Sequence, residues 1–148
     1  MSLSLDALVR VMSASLAPVI VISGVGLLLL SMTNRYGRVI DRARLLAREV
    51  ESAGPAGAAR HLEEQLAVVW RRAKVLRVAI VLGALSILLV AITVLAIFAE
   101  GLAGTGRDRV AGWVFGLALV ALVGSMVTFI LDVTLSLRAL KLEISRRD

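Results

Sequence analysis

Asp132 is the residue best placed to do chemistry in this sequence. It is a carboxylate that ends a run of 22 residues, 110–131, without a single charge. A carboxylate at membrane depth is costly and is held by a cationic partner. Asn34, Arg35 and Arg38 stand at the same depth, at the end of another uncharged run. The spacing therefore predicts an interhelical ion pair between Asp132 and Arg35 or Arg38. Such a pair either locks two helices together or gates a path between them. Arg35, Arg38 and Arg42 recur along one stretch of helix and form a basic throat, while Asp6 supplies an acidic group at the other end of the first span. His61, Glu63 and Glu64 are the one metal-like group. A single imidazole sharing a helix face with one carboxylate makes a poor metal site, and a solvated face is the expectation. No HExxH, P-loop, GxGxxG or nucleophile elbow is present, and the chain has no cysteine. We expect no enzyme, no cofactor and no metal.

These groups need elements to position them, and composition says which. Of 148 residues, 59% are apolar and 19% charged, with a mean hydropathy of +0.90. Soluble domains are about 45–50% apolar and about 25% charged. A soluble chain this short could not hide so much apolar surface, which excludes a small cytosolic enzyme or a disulfide scaffold. Three uncharged runs, 11–34, 78–99 and 110–131, hold 22 to 24 residues each. About 20 suffice to cross the hydrocarbon as a helix, and lipid offers backbone groups no other partner. We place spans at 11–33, 78–99 and 111–134. The first has no basic start, since Asp6 precedes Arg10. Its apolar run also exceeds the ~7–15 residues of a cleavable signal, so we expect it to remain.

Basic residues set the orientation. Segment 34–77 holds ten and the tail 135–148 holds four, whereas residues 1–10 and 100–110 hold three between them. Lys and Arg stay cytoplasmic. The N-terminal segment 1–10 is then an outer interfacial piece, 34–77 is cytoplasmic, 100–110 is an outer loop, and the tail is cytoplasmic. The apolar residues Tyr36, Val39, Ile40, Ala43, Leu46 and Val50 recur at three- and four-residue steps, as do Leu62, Leu66, Val69, Trp70 and Ala73. Each set is one helical stripe. Residues 52–57, with two glycines and a proline, read as a turn. The fold class is thus all-α: one membrane domain with three transmembrane helices, whose first two extend into a cytoplasmic helical hairpin. No nucleic-acid module accompanies the basic charge.

Small residues are set in register within the spans. Gly24 and Ser31 belong to a seven-residue series with Ala17 and Arg38; Gly83, Ser86 and Thr93 share a face of the second span. Gly112 and Gly116 form a GxxxG pair, continued by Gly124 and Thr128 on a slanted ridge. Helices in lipid pack where small residues let backbones approach. We assign Gly83, Ser86, Thr93, Gly112, Gly116, Gly124 and Thr128 to helix packing, within the chain or between subunits.

The run from Ser31 to Arg44, with Ser31, Asn34, Arg35, Asp41, Arg42 and Arg44 in order, resembles the pattern of domain-of-unknown-function family 2721. The family's pattern has a first span ending in Ser-x-x-Asn-Arg, then a valine-rich turn and Asp-Arg-x-Arg. The three-span layout is also similar, with Asp132 where glutamate is usual. The resemblance covers nearly the whole chain. It implies a bacterial inner-membrane protein and no particular activity.

Two functions fit. The first is a homo-oligomeric ion channel whose first span lines the path with Ser15, Ser23, Gly24 and Ser31, since three spans enclose no pore alone. Asp6 and Asp132 favour cations and the arginine throat favours anions; we lean slightly to cations. The second is a non-conducting scaffold whose hairpin binds a cytoplasmic partner protein or anionic lipid, through Arg60, Glu63, Gln65 and Arg71.

Overall fold

The computed structural model describes residues 5–52, 58–103 and 108–144, all of them helical. The helices are α1 (Leu5–Ser52), α2 (Ala58–Ala103) and α3 (Asp108–Ile144). Three helices are long and apolar enough to cross a membrane, and no strand occurs among the described residues. The chain is an all-α, multi-pass membrane protein.

The helices run further than charge alone suggests. α1 begins at Leu5, so the helix runs without a break from residues 5–10 into the first span. Pro18 lies inside α1 and is buried. One missing N–H does not end a helix whose neighbours in lipid have no alternative partner. α2 continues past Glu100 to Ala103, and α3 starts at Asp108, so most of the expected loop 100–110 is helical. α3 extends through the tail to Ile144; of the expected turn at 52–57, Ser52 is the last residue of α1 and 53–57 lie outside the described residues.

Each helix buries a narrow row. On α1 the buried positions include Pro18, Val25, Met32, Val39 and Leu46, at seven-residue steps. On α2 they are Ala73, Leu76, Ala79, Gly83, Ser86, Val90 and Thr93, three or four residues apart. On α3 they are Ala111, Ala118, Ala121, Ser125 and Asp132. A seam of alternating three- and four-residue steps is that of helices packed at small crossing angles. Alanine, glycine and serine supply much of it, which permits the close approach that packing in lipid requires.

The chain divides into two compact units. The first comprises Met1–Leu29 and Val81–Gly124. There Val25, Val90, Ala118 and Ala121 form the core, with Ser86 and Thr93 also buried. Thr93 Oγ1 donates to Leu89 O at 2.9 Å, whereas Ser86 Oγ has no hydrogen-bond partner among the described residues. The second unit comprises Leu30–Ile80 and Ser125–Asp148. Its core is Met32, Val39, Ala43, Leu46, Ala73, Leu76 and Ala79, and it holds the buried Ser125 and Asp132. Leu27, Leu95, Val120 and Trp113 are among many large apolar side chains left exposed, Trp113 at 81%. Lipid is the solvent that tolerates such a surface.

Candidate functional site: a buried carboxylate beneath an arginine pocket

The second unit gathers its polar chemistry on one row of α3. Ser125, Phe129 and Asp132 stand at i, i+4 and i+7 and so share a face. Ser125 Oγ donates to Ala79 O of α2 at 2.7 Å and lies 4.0 Å from Met32 Sδ of α1. One hydroxyl thereby touches both neighbouring helices. Two turns along, Asp132 is fully buried and meets arginines from both. Arg35 Nε is 3.4 Å from Asp132 Oδ2, and Arg72 Nε is 3.6 Å from Oδ1. The two arginine side chains are 29% and 24% exposed. Each is thus half-buried, with its Nε turned inward to the carboxylate. Arg35 also stacks over the Phe129 ring at 5.7 Å, a cation–π contact that fixes its plane.

Arg35 is one of the two partners that depth left open for Asp132. Arg38, the other, has no ion pair among the described residues and instead lines a cavity. Arg72 is a functional residue that the sequence reading missed. The signal was available: Arg72, Leu76, Ala79 and Gly83 fall at i, i+4, i+7 and i+11, one face of a helix. Among Arg71, Arg72, Lys74 and Arg77, Arg72 alone lies on that seam.

Above the ion cluster is a cavity of about 290 Å³, lined by Arg35, Arg38, Val39, Arg42, Val69 and Arg72. On α1 the lining positions run i, i+3, i+4, i+7, and on α2 they run i, i+3. Four arginines thus line one space, and no carboxylate lines it. Asp41, on the same helix, is turned to Arg44 at 3.9 Å, with both side chains exposed. Such a pair is worth at most about 1 kcal/mol.

The remaining site expectations fall as follows. Ser23, Gly24 and Ser31 are exposed, and nothing lies within 4 Å of the position of a Gly24 Cβ. The side chains of Asp6 and Ser15 lie outside the described residues. Gly83, Ser86 and Thr93 are packed inside the first unit. Gly124 meets Leu82 Cδ1 at 3.4 Å from its Cβ position, and Thr128 is half-buried. Gly112 and Gly116 are exposed with open space beside them, so the GxxxG pair packs on nothing among the described residues. On the hairpin, Arg60 pairs with Glu64 at 3.8 Å and His61 meets Gln65 at 3.1 Å. No group of three metal-ligating side chains occurs among the described residues.

Comparison with curated proteins and with solved structures returns no match. A family model does match, over residues 15–142, which takes in all three spans, Arg35, Arg72 and Asp132. The chain therefore belongs to the family described as Protein of unknown function (DUF2721).

Proposed function

We propose that this chain forms a homo-oligomeric pore in a bacterial inner membrane, with its N-terminus outside and its hairpin and C-terminus cytoplasmic. α1 lines the path. One observation carries the reading: Ser23, Gly24 and Ser31 are exposed on α1. Gly24 and Ser31 each precede a buried residue, Val25 and Met32, by one position. One residue is about 100° of helix, so the small and polar row is turned away from the seam. Arg38 and Arg42 continue that side of the helix toward the hairpin. A row of this kind is poorly suited to lipid tails and well suited to a second copy or to water. Ser23 Oγ donates to Val19 O at 3.4 Å, which leaves its oxygen lone pairs facing outward.

Reconstitution into liposomes tests this. The wild-type chain passes Na⁺, K⁺ or Cl⁻, and Gly24→Leu or Ser31→Leu changes that flux while leaving the melting temperature in detergent unaltered. Absence of current for all three ions across a range of voltages defeats the proposal.

A specific observation favours the second reading, a non-conducting scaffold. A groove of about 760 Å³ runs between the two hairpin helices, lined by Ile40, Ala43, Ala47, Leu66, Ala67 and Trp70 together with Arg44 and Glu63. Trp70 is half exposed beside it, with Lys74 Nζ 5.8 Å from its ring. An apolar helix of a cytoplasmic partner fits such a groove. A photo-crosslinker at Trp70 then yields one defined protein adduct, lost on Leu66→Asp. Deleting the hairpin would be a poor test, because Arg72 ties it to Asp132.

A further inference from the structure

We propose that the cavity walled by Arg35, Arg38, Arg42 and Arg72 is a binding site for a phosphate oxyanion. The site is independent of whether the chain conducts. Four arginines line a space of about 290 Å³. Against them stands the single carboxylate of Asp132, which lies behind the wall and is met by Arg35 and Arg72. Arginines therefore outnumber the one carboxylate around the space. Arg38 and Arg42 have no ion pair among the described residues and hold their charge at its mouth. Repulsion alone would splay four such side chains apart, and an anion between them removes it.

Arginine in this number selects the anion class. Its planar fork matches two oxygens of a phosphate at once, which a lysine cannot do. The volume equals that of roughly ten water molecules, enough for a phosphate group with part of its hydration. Val39 and Val69 complete the wall and are apolar, so they offer an ester carbon a surface and the oxyanion nothing. Arg35 directly follows the uncharged run 11–34, which places the cavity at the edge of the hydrocarbon. A phosphodiester on a lipid headgroup and a free phosphate both meet these conditions. Asp132 then has a second role. By holding Arg35 and Arg72 in place it presets half of the fork before the anion arrives.

The test uses the full chain purified in detergent and stripped of lipid. One arm titrates inorganic phosphate calorimetrically, and the other adds short-chain phosphatidylglycerol, with phosphatidylcholine as the zwitterionic control, and counts bound molecules by native mass spectrometry. The wild type binds in at least one arm, and the arm that responds tells a headgroup from a free phosphate. Arg38→Gln/Arg42→Gln weakens binding by at least about tenfold. Arg48→Gln/Arg71→Gln, which removes the same two charges at exposed positions outside the cavity, leaves binding within a factor of about two. Arg38→Lys keeps the charge and the fold but loses the fork, and weakens binding as well. No binding in either arm overturns the proposal. So does equal loss in the Arg48/Arg71 variant, or full retention by Arg38→Lys, since either means diffuse attraction to positive charge and not a site.

Discussion

Asp132 and Arg35 are 3.4 Å apart, Oδ2 to Nε, with the carboxylate fully buried and the guanidinium 29% exposed. The asymmetry decides what a substitution costs. Removing the carboxylate breaks both contacts at once and leaves two like charges side by side, whereas removing one arginine leaves the carboxylate its other partner. Breaking a buried pair from one side costs about 3–5 kcal/mol. We expect Asp132→Ala to fall in that range and Arg35→Gln or Arg72→Gln to fall below it. Melting temperatures in one detergent, compared across the three variants, check the order. Arg35→Gln more damaging than Asp132→Ala contradicts it.

The two buried serines should respond in opposite directions. Ser125 Oγ spends its proton on Ala79 O at 2.7 Å, and Ser86 Oγ has no partner among the described residues. Ser125→Ala loses about 0.6–1.7 kcal/mol, the span measured for interhelical hydrogen bonds in membranes. Ser86→Ala removes a buried hydroxyl that contributes nothing, and is neutral or stabilising by up to about 1 kcal/mol. Equilibrium unfolding in mixed micelles reads both. A loss at Ser86 matching that at Ser125 would show the hydroxyl to be engaged.

What the sequence made legible follows from how strongly the bilayer constrains it. Spans and helices could be read because hydrocarbon forbids the alternatives, and the partner of Asp132 could be narrowed because charges sort by depth. The register of α1 could not be read. Its span is apolar on every side, so Gly24–Ser31–Arg38 and Val25–Met32–Val39 are equally regular series, and only packing shows that the second is buried. Arg72 was hidden for a related reason. It is one of four basic residues within seven positions, and which one faces α3 depends on how the hairpin helices align. The arginine cavity needs that alignment too, since three of its arginines come from α1 and one from α2.

The glycines of α3 separate packing within the chain from packing between copies. A Cβ at Gly112 or Gly116 meets open space, so neither Ala nor Leu there disturbs this chain's own fold. Replacing a helical glycine by alanine instead raises helix propensity by about 1 kcal/mol. If copies associate through this face, Gly112→Leu/Gly116→Leu lowers the oligomeric mass measured by native mass spectrometry without lowering the melting temperature of the chain. Unchanged mass in that variant means the GxxxG pair faces lipid.

Orientation can be settled because the chain has no cysteine of its own, so a single introduced thiol reports on one position. Ser52 and Arg109 are both exposed, one at the end of α1 and one at the start of α3. The basic bias that orients the chain is ten residues in 34–77 against three in 1–10 and 100–110 together. Ser52→Cys leaves that bias untouched, and Arg109→Cys strengthens it by removing a charge from the side that should be poor in arginine. Neither probe can therefore invert the topology it measures. A membrane-impermeant maleimide applied to intact spheroplasts labels Arg109→Cys at once and labels Ser52→Cys only after the membrane is opened. The reverse pattern would place the arginine cavity outside the cell, where neither cytoplasmic phosphate nor an inner-leaflet headgroup could reach it.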